Sequence, residues 1–315
     1  MKLHFIINEH SGNGKGKDIW KKLKDELKSP YSFHITNYKG HGRELAKRIA
    51  YQAERSKEAT LIIAIGGDGT IHEVVGGVSG FQEIYFGAVR AGSGNDFSRS
   101  FHTFESAQEI DQAIQGNDLE CISYDSGNVE WEKANIQFVN NSGIGFDAFV
   151  AASVNSSSAK RVLNKLGLGK LSYAFYVLSS LFTFKLFDVT VDQEGKQKRY
   201  QNVWFVTVSN QPYFGGGMKI SPSSNANDGL LEVSIVYNLS RLKLLLMFVT
   251  VFFGAHTKLK AFEQVQGEKF ALYINHEVPC HTDGEILGVT KKNSKLSYTV
   301  QKKCWKMLTK NSAAM

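Results

Sequence analysis

The stretch Leu61-Ile62-Ile63-Ala64-Ile65-Gly66-Gly67-Asp68-Gly69-Thr70-Ile71-His72-Glu73-Val74-Val75-Gly76-Gly77-Val78 decides the fold. Leu61–Ile65 is a short, unbroken apolar run, as expected for a strand buried on both faces of a parallel sheet. Thr70–Val78 instead sets Ile71, Val74, Val75 and Val78 on one helical face. The turn between them is Gly66-Gly67-Asp68-Gly69-Thr70. Glycine lacks Cβ, so backbone amides there can approach an anion closely, and the helix start adds its own amides and positive dipole end. An aspartate in such a turn repels phosphate unless a cation stands between them, so Asp68 points to magnesium.

Outward from that unit the same alternation continues. Upstream lie a strand at Leu3–Ile7, a helix at Asp18–Leu27, a strand carrying Tyr31, Phe33 and Ile35, and a helix carrying Leu45, Ile49 and Ala53. Downstream comes a strand at Ile84–Val89. This strand–helix alternation predicts an α/β domain with a doubly wound parallel sheet. From about Tyr124 strands dominate, at Ile136–Val139, Val189–Val191, Val203–Val208, Leu230–Val236, Phe270–Ile274 and Leu296–Val300, with helical patches at Leu171–Phe184 and Leu242–Phe252. The expected organisation is a nucleotide-binding α/β domain over 1–123 and a mainly antiparallel β domain over 124–300.

Two further glycine-rich segments follow strands of the first domain, Asn8-Glu9-His10-Ser11-Gly12-Asn13-Gly14 and Gly92-Ser93-Gly94-Asn95-Asp96. One such loop is often only a tight turn. Three at the carboxyl edge of one parallel sheet, where ligands bind, are harder to dismiss. The first is not a Walker A loop, because Gly16 and Asp18 follow Lys15 and Lys17 where Ser or Thr is required.

Composition sets the outer limits. The chain has 315 residues, 37 Lys+Arg against 30 Asp+Glu, and a net charge of +7. That balance favours phosphate-rich partners, yet no polybasic block stands out, so a solvated basic surface is the simplest reading and no nucleic-acid partner is expected. Three widely spaced cysteines, Cys121, Cys280 and Cys304, suit a reducing compartment. The longest apolar stretch, Leu244–Gly254, falls short of the roughly 20 residues of a membrane span. It reads first as a buried helix, with a membrane-facing helix as the alternative.

Gly66-Gly67-Asp68-Gly69-Thr70 resembles the nucleotide motif shared by diacylglycerol, sphingosine and NAD kinases and, more distantly, phosphofructokinases. The remaining segments separate these families. Asn8…Ser11-Gly12, Gly92-Ser93-Gly94-Asn95-Asp96-Phe97, Asn141-Ser142-Gly143-Ile144-Gly145-Phe146-Asp147-Ala148, Asn227-Asp228-Gly229-Leu230-Leu231 and Asp283-Gly284-Glu285 are similar, in order, to motifs of the diacylglycerol kinase family. The resemblance implies ATP as phosphoryl donor, with Asn8, Ser11, Gly12, Thr36, Gly66, Gly67, Asp68, Gly69, Thr70, His72, Ser93, Asn95 and Asp96 at the nucleotide. It implies magnesium at Asp68, Asp125 and Asp96 in the polar network of the domain cleft with Asp125 counted as a metal-site residue, and a structural magnesium on Asp228 and the carbonyls of Asn225 and Leu230. Glu285 would be the general base, with Asp283 beside it in the catalytic turn. It also implies that the tail, 301–315, returns to the first domain.

The expected activity is therefore phosphorylation of a membrane lipid hydroxyl, diacylglycerol first, by a cytoplasmic protein held peripherally on the inner face of an anionic membrane, with a homodimer compatible. A soluble-metabolite kinase such as NAD kinase, a kinase for a sphingoid or other lipid, and a non-catalytic regulator are the rivals. On residues alone, Asp283-Gly284 is first a solvated hairpin turn. Glu9, His72, Gly76, Arg90 and Ser93 depart from the family pattern. Gly215-Gly216-Gly217 reads as a flexible loop near the lipid cleft.

Overall fold

The computed structural model describes residues 1–92, 94–116, 119–156 and 177–310. Strands β1 (Lys2–Ile7), β2 (Ser32–Ile35), β3 (Thr60–Gly66) and β4 (Ile84–Arg90) form a parallel sheet in the order β2-β1-β3-β4. Helices α1 (Lys15–Glu26), α2 (His41–Ser56) and α3 (Asp68–Val78) connect them. Side chains alternate across a strand, and β3 shows the consequence. Ile62 and Ala64 pack with Leu45, Ile49, Ile71 and Val74 of α2 and α3. Leu61, Ile63 and Ile65 pack on the opposite face with Trp20 and Leu23 of α1 and with Ile110. An apolar run buried on both faces has produced helices on both faces, which is the doubly wound arrangement.

Ile110 belongs to α5 (Ala107–Gln115), which follows the short α4 (Phe97–Ser100). Helix α5 begins where the Ser106 side chain accepts the Glu109 amide, a capping arrangement that satisfies one of the free donors of the first turn.

The chain then enters β5 (Leu119–Trp131), and the expected boundary at 123/124 falls inside this strand. The second unit adds β6 (Ala134–Phe138), β7 (Asn141–Gly145), α6 (Phe146–Ser156), β8 (Phe187–Gln193), β9 (Lys196–Ser209), β10 (Leu231–Tyr237), β11 (Phe262–Gly267), β12 (Lys269–Ile274), β13 (Pro279–Thr282) and β14 (Glu285–Val289). All strand pairs within it are antiparallel. Its core gathers Phe146, Phe184, Phe187, Trp204, Phe205 and Tyr298.

The last strand, β15 (Ser294–Lys310), joins the two units. Its first half pairs antiparallel with β12, and Met307 in its second half meets Phe86 of β4 in parallel. Between the halves its pairing with β5 shifts register, from Gln301 to Trp305. The expected helical patch at Leu171–Phe184 lies outside the described residues up to 176; a helix occupies 177–183. Among the described residues no helix is long and apolar enough to cross a membrane.

Candidate active site

Three strand ends of the parallel sheet meet in one place. Asn8, just beyond β1, donates from Nδ2 to Thr70 Oγ1 at 3.0 Å, and Ser11 Oγ accepts the Gly67 amide at 3.2 Å. Thr36, just beyond β2, donates its amide to Ile7 O at 2.8 Å. Gly12 has φ 59°, and a Cβ there would stand 2.1 Å from the Ala91 carbonyl oxygen, so only glycine lets the loops close together. Asn8, Ser11, Thr36, Gly67, Gly69 and Thr70 line a cleft of about 410 Å³. Gly66 lies beneath, against the Thr70 side chain.

Glu285, more than two hundred residues later in sequence, lines the same cleft. Its carboxylate is 34% exposed and stands 3.4 Å from Lys39 Nζ. The hairpin that presents it has Asp283 and Gly284 both at positive φ, 46° and 81°. This is the backbone of a two-residue β-hairpin turn for which Asp-Gly is a preferred pair.

Asp283 is not in the cleft. It is buried, its Oδ2 accepting the Val139 amide at 2.7 Å and its Oδ1 the amides of Asn140 and Asn141 at 2.8 and 2.9 Å. His72 Nδ1 stands 2.5 Å from Oδ2. Burial pushes this carboxyl up, but the His72 ring and the backbone amides outweigh it and hold it below its ordinary value. His72, expected at the nucleotide, is likewise buried behind the loop. Arg43 Nη2 approaches its Nε2 at 3.2 Å; a guanidinium only donates, so Nε2 accepts and Nδ1 carries the proton toward Asp283. Both side chains, expected to contact reactants, are instead buried away from the cleft, where they tie the Glu285 hairpin to helix α3 of the nucleotide loop.

Asp68 opens α3 and accepts the Phe97 amide on Oδ1 at 3.0 Å. A Cβ on Gly94 would come within 2.8 Å of its Oδ2, so that glycine keeps the space before this oxygen open. Asp96 accepts the amides of Gly216 and Gly217 at 2.8 and 2.7 Å. Burial and the charge of Asp68 push Asp96 up, against the pull of these amides and Arg99. Gly215-Gly216-Gly217, all at positive φ, is thus clasped by the first domain rather than left loose. Two carboxylates close enough to disfavour each other, one with an open oxygen, fit a hard divalent cation. Asn95 lies at φ 56° in the turn between them; Ser93 lies outside the described residues.

Asp125 is 1% exposed and sits at the junction of the two units. Its Oδ2 accepts the Gly229 amide at 2.7 Å and its Oδ1 the Lys303 amide at 2.6 Å. Lys303 lies in the β15 register shift at φ 49°. Through these two oxygens Asp125, expected at the metal site, ties the bulge of β15 to the Gly229 turn beside Asp228. Asp228 accepts the Leu230 amide on Oδ1 at 2.9 Å, and the Asn225 carbonyl accepts the Asp228 amide at 3.4 Å. Burial raises the Asp228 carboxyl, as does the nearby Asp125. Burial also pushes the neighbouring Glu232 up to about 7. Among the described residues no group of three or more His, Cys, Asp or Glu side chains stands where it could share an ion.

The sequence reading missed the β2–α2 loop. Asn37, Tyr38 and Lys39 line the cleft with Thr36, and Glu73 of α3 holds that loop by accepting the amides of Gly40 and Gly42 at 2.7 and 3.0 Å. The signal was its place at the carboxyl edge of a parallel strand. Arg90 does not face the cleft but pairs with Glu105 at 3.8 Å.

A doubly wound sheet with this edge, joined to an antiparallel domain that contributes a carboxylate, defines the fold of the diacylglycerol and NAD kinases. Residues 2–123 match the family described as "Diacylglycerol kinase catalytic domain", and residues 141–300 match "YegS C-terminal NAD kinase beta sandwich-like domain". The chain is 35% identical to the Bacillus subtilis protein named "Putative lipid kinase YtlR", over 91% of this chain and 94% of that protein. It is 27% identical to a Mycobacterium tuberculosis protein named "Diacylglycerol kinase", over 74% of this chain and 75% of that one. A diacylglycerol kinase crystal structure from Bacillus anthracis shares the fold at a TM-score of 0.72 and 21% identity, covering 100% of this chain and 98% of that chain. Yeast NADH kinase is similar at a TM-score of 0.51 and 10% identity, covering 98% and 82%. The chain belongs to the diacylglycerol kinase-like lipid kinase family.

Proposed function

We propose that this protein is an ATP- and magnesium-dependent lipid kinase that moves the γ-phosphoryl group of ATP to a lipid hydroxyl, with diacylglycerol as the leading acceptor and phosphatidic acid as product. The observation that carries this reading is the presence of Glu285 in one cleft with Asn8, Ser11, Gly67 and Thr70. Phosphoryl transfer depends on positioning and on neutralising charge. The Gly67 and Gly69 turn and the start of α3 offer amides and a positive dipole end to phosphate oxygens, and Lys39 brings a cation to the same cleft. Magnesium, bound at Asp68 with Asp96 behind it, would supply further charge neutralisation. Glu285 accepts the proton of the acceptor hydroxyl as its oxygen attacks phosphorus. Asp283 and His72 act on Glu285 only by fixing its hairpin. Peripheral contact with an anionic membrane belongs to the same reading.

The test is incubation with γ-labelled ATP, magnesium and vesicles containing diacylglycerol, followed by a panel of other lipids. Label in the organic phase on phosphatidic acid is the expected result. Label confined to a water-soluble product would make the protein a metabolite kinase, and absence of transfer to every acceptor would leave a binding protein. Either outcome overturns the reading.

A further inference from the structure

Two histidines hold the hairpin that presents Glu285, and they carry opposite tautomers. His72 reaches it from the first domain, with its Nδ1 proton toward Asp283. His281 lies on β13, two residues before Asp283, and shows the reverse arrangement. A backbone N–H can only donate, so the Gly284 amide, 3.3 Å from His281 Nδ1, requires that nitrogen to be bare. The ring proton then sits on Nε2, which donates to Asp147 Oδ2 at 3.2 Å.

The surroundings fix this ring on every side. The pairing of β13 with β14 shifts register between Cys280 and His281, a bulge of the kind that re-aims a side chain. Phe214 stacks on the imidazole at 5.8 Å between ring centres, the planes 10° apart. Gly143 of β7 lies opposite His281 in the strand pair, and a Cβ there would collide with both His281 Nε2 and Asp147 Oδ2. The side chains of His281 and Asp147 are 1% and 7% exposed. Asp147 stands in the first turn of α6 and accepts the Ala148 amide on Oδ1 at 2.7 Å. Burying a carboxylate is costly unless its oxygens find donors. Here each oxygen has one, and the second donor is the histidine.

We infer that Asp147 and His281 are positioning residues for Glu285: Asp147 selects the His281 tautomer whose bare Nδ1 anchors the Gly284 amide, one residue before the base. With the proton on Nδ1 instead, two donors would face each other and the bond to Gly284 would be lost. The pair acts through the hairpin and not in the cleft, whose lining includes Glu285 but neither Asp147 nor His281. The consequence for turnover rests on the lipid-kinase reading, because it takes Glu285 as the base. The tautomer and its bond to Gly284 do not.

The full chain, labelled with heavy nitrogen and free of nucleotide, reports the tautomer in long-range proton–nitrogen correlation spectra. In the wild type His281 Nδ1 should read as unprotonated and Nε2 as protonated. Asp147→Asn leaves one oxygen. With that oxygen on the Ala148 amide, the new NH₂ group faces His281 Nε2 and the ring proton moves to Nδ1. The spectrum should show the switch, and the Gly284 amide should exchange with deuterium about fivefold faster. With short-chain diacylglycerol dispersed in water, kcat should fall about ten- to a hundred-fold, while KM for ATP stays near that of the wild type.

His281→Asn puts an amide oxygen where Nδ1 stands, so the Gly284 amide keeps an acceptor whatever residue occupies position 147. It should keep kcat near wild type, and adding Asp147→Asn to it should cost nothing further. A carboxylate needed only for packing would cost as much in either background. His281→Gln, whose polar end reaches toward Asp147 but not Gly284, should lose kcat as Asp147→Asn does, and it supplies the spectral assignment where His281→Asn does not fold. A protonated Nδ1 in the wild type, an unmoved spectrum and kcat in Asp147→Asn, or equal loss from Asp147→Asn in both backgrounds would overturn the inference. Absence of transfer by the wild type would sink the lipid-kinase reading instead; the spectra, taken without nucleotide, decide the tautomer either way.

Discussion

Replacing Asp283 with Asn tests whether this carboxylate holds the site or performs its chemistry. Asparagine tolerates the left-handed backbone at φ 46°, so the turn survives and only the acceptor pattern changes. Each Asp283 oxygen now faces two donors, Val139 N with His72 Nδ1 on one, and Asn140 N with Asn141 N on the other. Asn offers one carbonyl oxygen, so in either orientation its NH₂ faces two buried donors. At about 1–3 kcal/mol for each stranded group, with relaxation recovering part, the expected loss is about 3 kcal/mol. Urea unfolding should read this as a lower midpoint, while kcat falls less than in Glu285→Gln. The carboxyl lies below its ordinary value in the folded chain. Its contribution is therefore full above the unfolded value, about pH 4, and disappears as pH falls through the lowered folded value. The stability gap between wild type and variant should accordingly close below about pH 4. A variant as stable as wild type at neutral pH, with kcat collapsed, would refute the positioning role and move Asp283 into the chemistry.

Glu285→Gln keeps the shape but cannot take a proton, so kcat should fall about a hundred- to ten-thousand-fold, with KM for ATP and the melting temperature nearly unchanged. A near-normal kcat there, with Asp283→Asn dead, would show the base assigned to the wrong carboxylate. Asp68→Asn retains an oxygen for the Phe97 amide and should melt close to wild type, yet lose turnover that saturating magnesium does not restore; equal turnover would sink the metal assignment. For Asp228→Ala the expected loss is about 1 kcal/mol from the Leu230 amide alone, and more where an ion is bound. A chelator should lower the melting temperature of the wild type but not of this variant, and an unmoved wild type would remove the structural ion.

The parallel sheet was legible because burial on both faces leaves its strands as plain apolar runs. Leu61–Ile65 needed only a residue added at each end to become β3. The second unit was read in outline and missed in its polar parts. Strand β5 carries Asp125, Ser126 and Asn128 through its middle, and β13–β14 is short and reads locally as a turn. Helix α5 announced itself through Ser106 and Glu109, a spacing that passed unread. The register shift at the junction was not legible. Nothing near Gln301 in the sequence signals a register shift, because its cause is the side chain of Asp125, held there by tertiary pairing.

The same limit governs the site. Asp68, Asp96, Asp125, Asp283 and Glu285 are alike as letters, and a carboxylate in a glycine-rich turn reads equally well as ligand, base or clasp. What distinguishes them is how their oxygens are occupied. Asp96 takes two amides from the Gly216 turn, Asp125 one from Gly229 and one from β15, and Asp283 three from 139–141. Each contact joins segments far apart in sequence. These carboxylates cost desolvation to bury and recover it only while the two units stay docked, so they set the distance between the nucleotide loop and the acceptor domain. Asp68 keeps one oxygen facing the space left by Gly94, and Glu285 faces an open cleft with Lys39 beside it. Chemistry needs oxygens that can still change partners, and those two residues retain them.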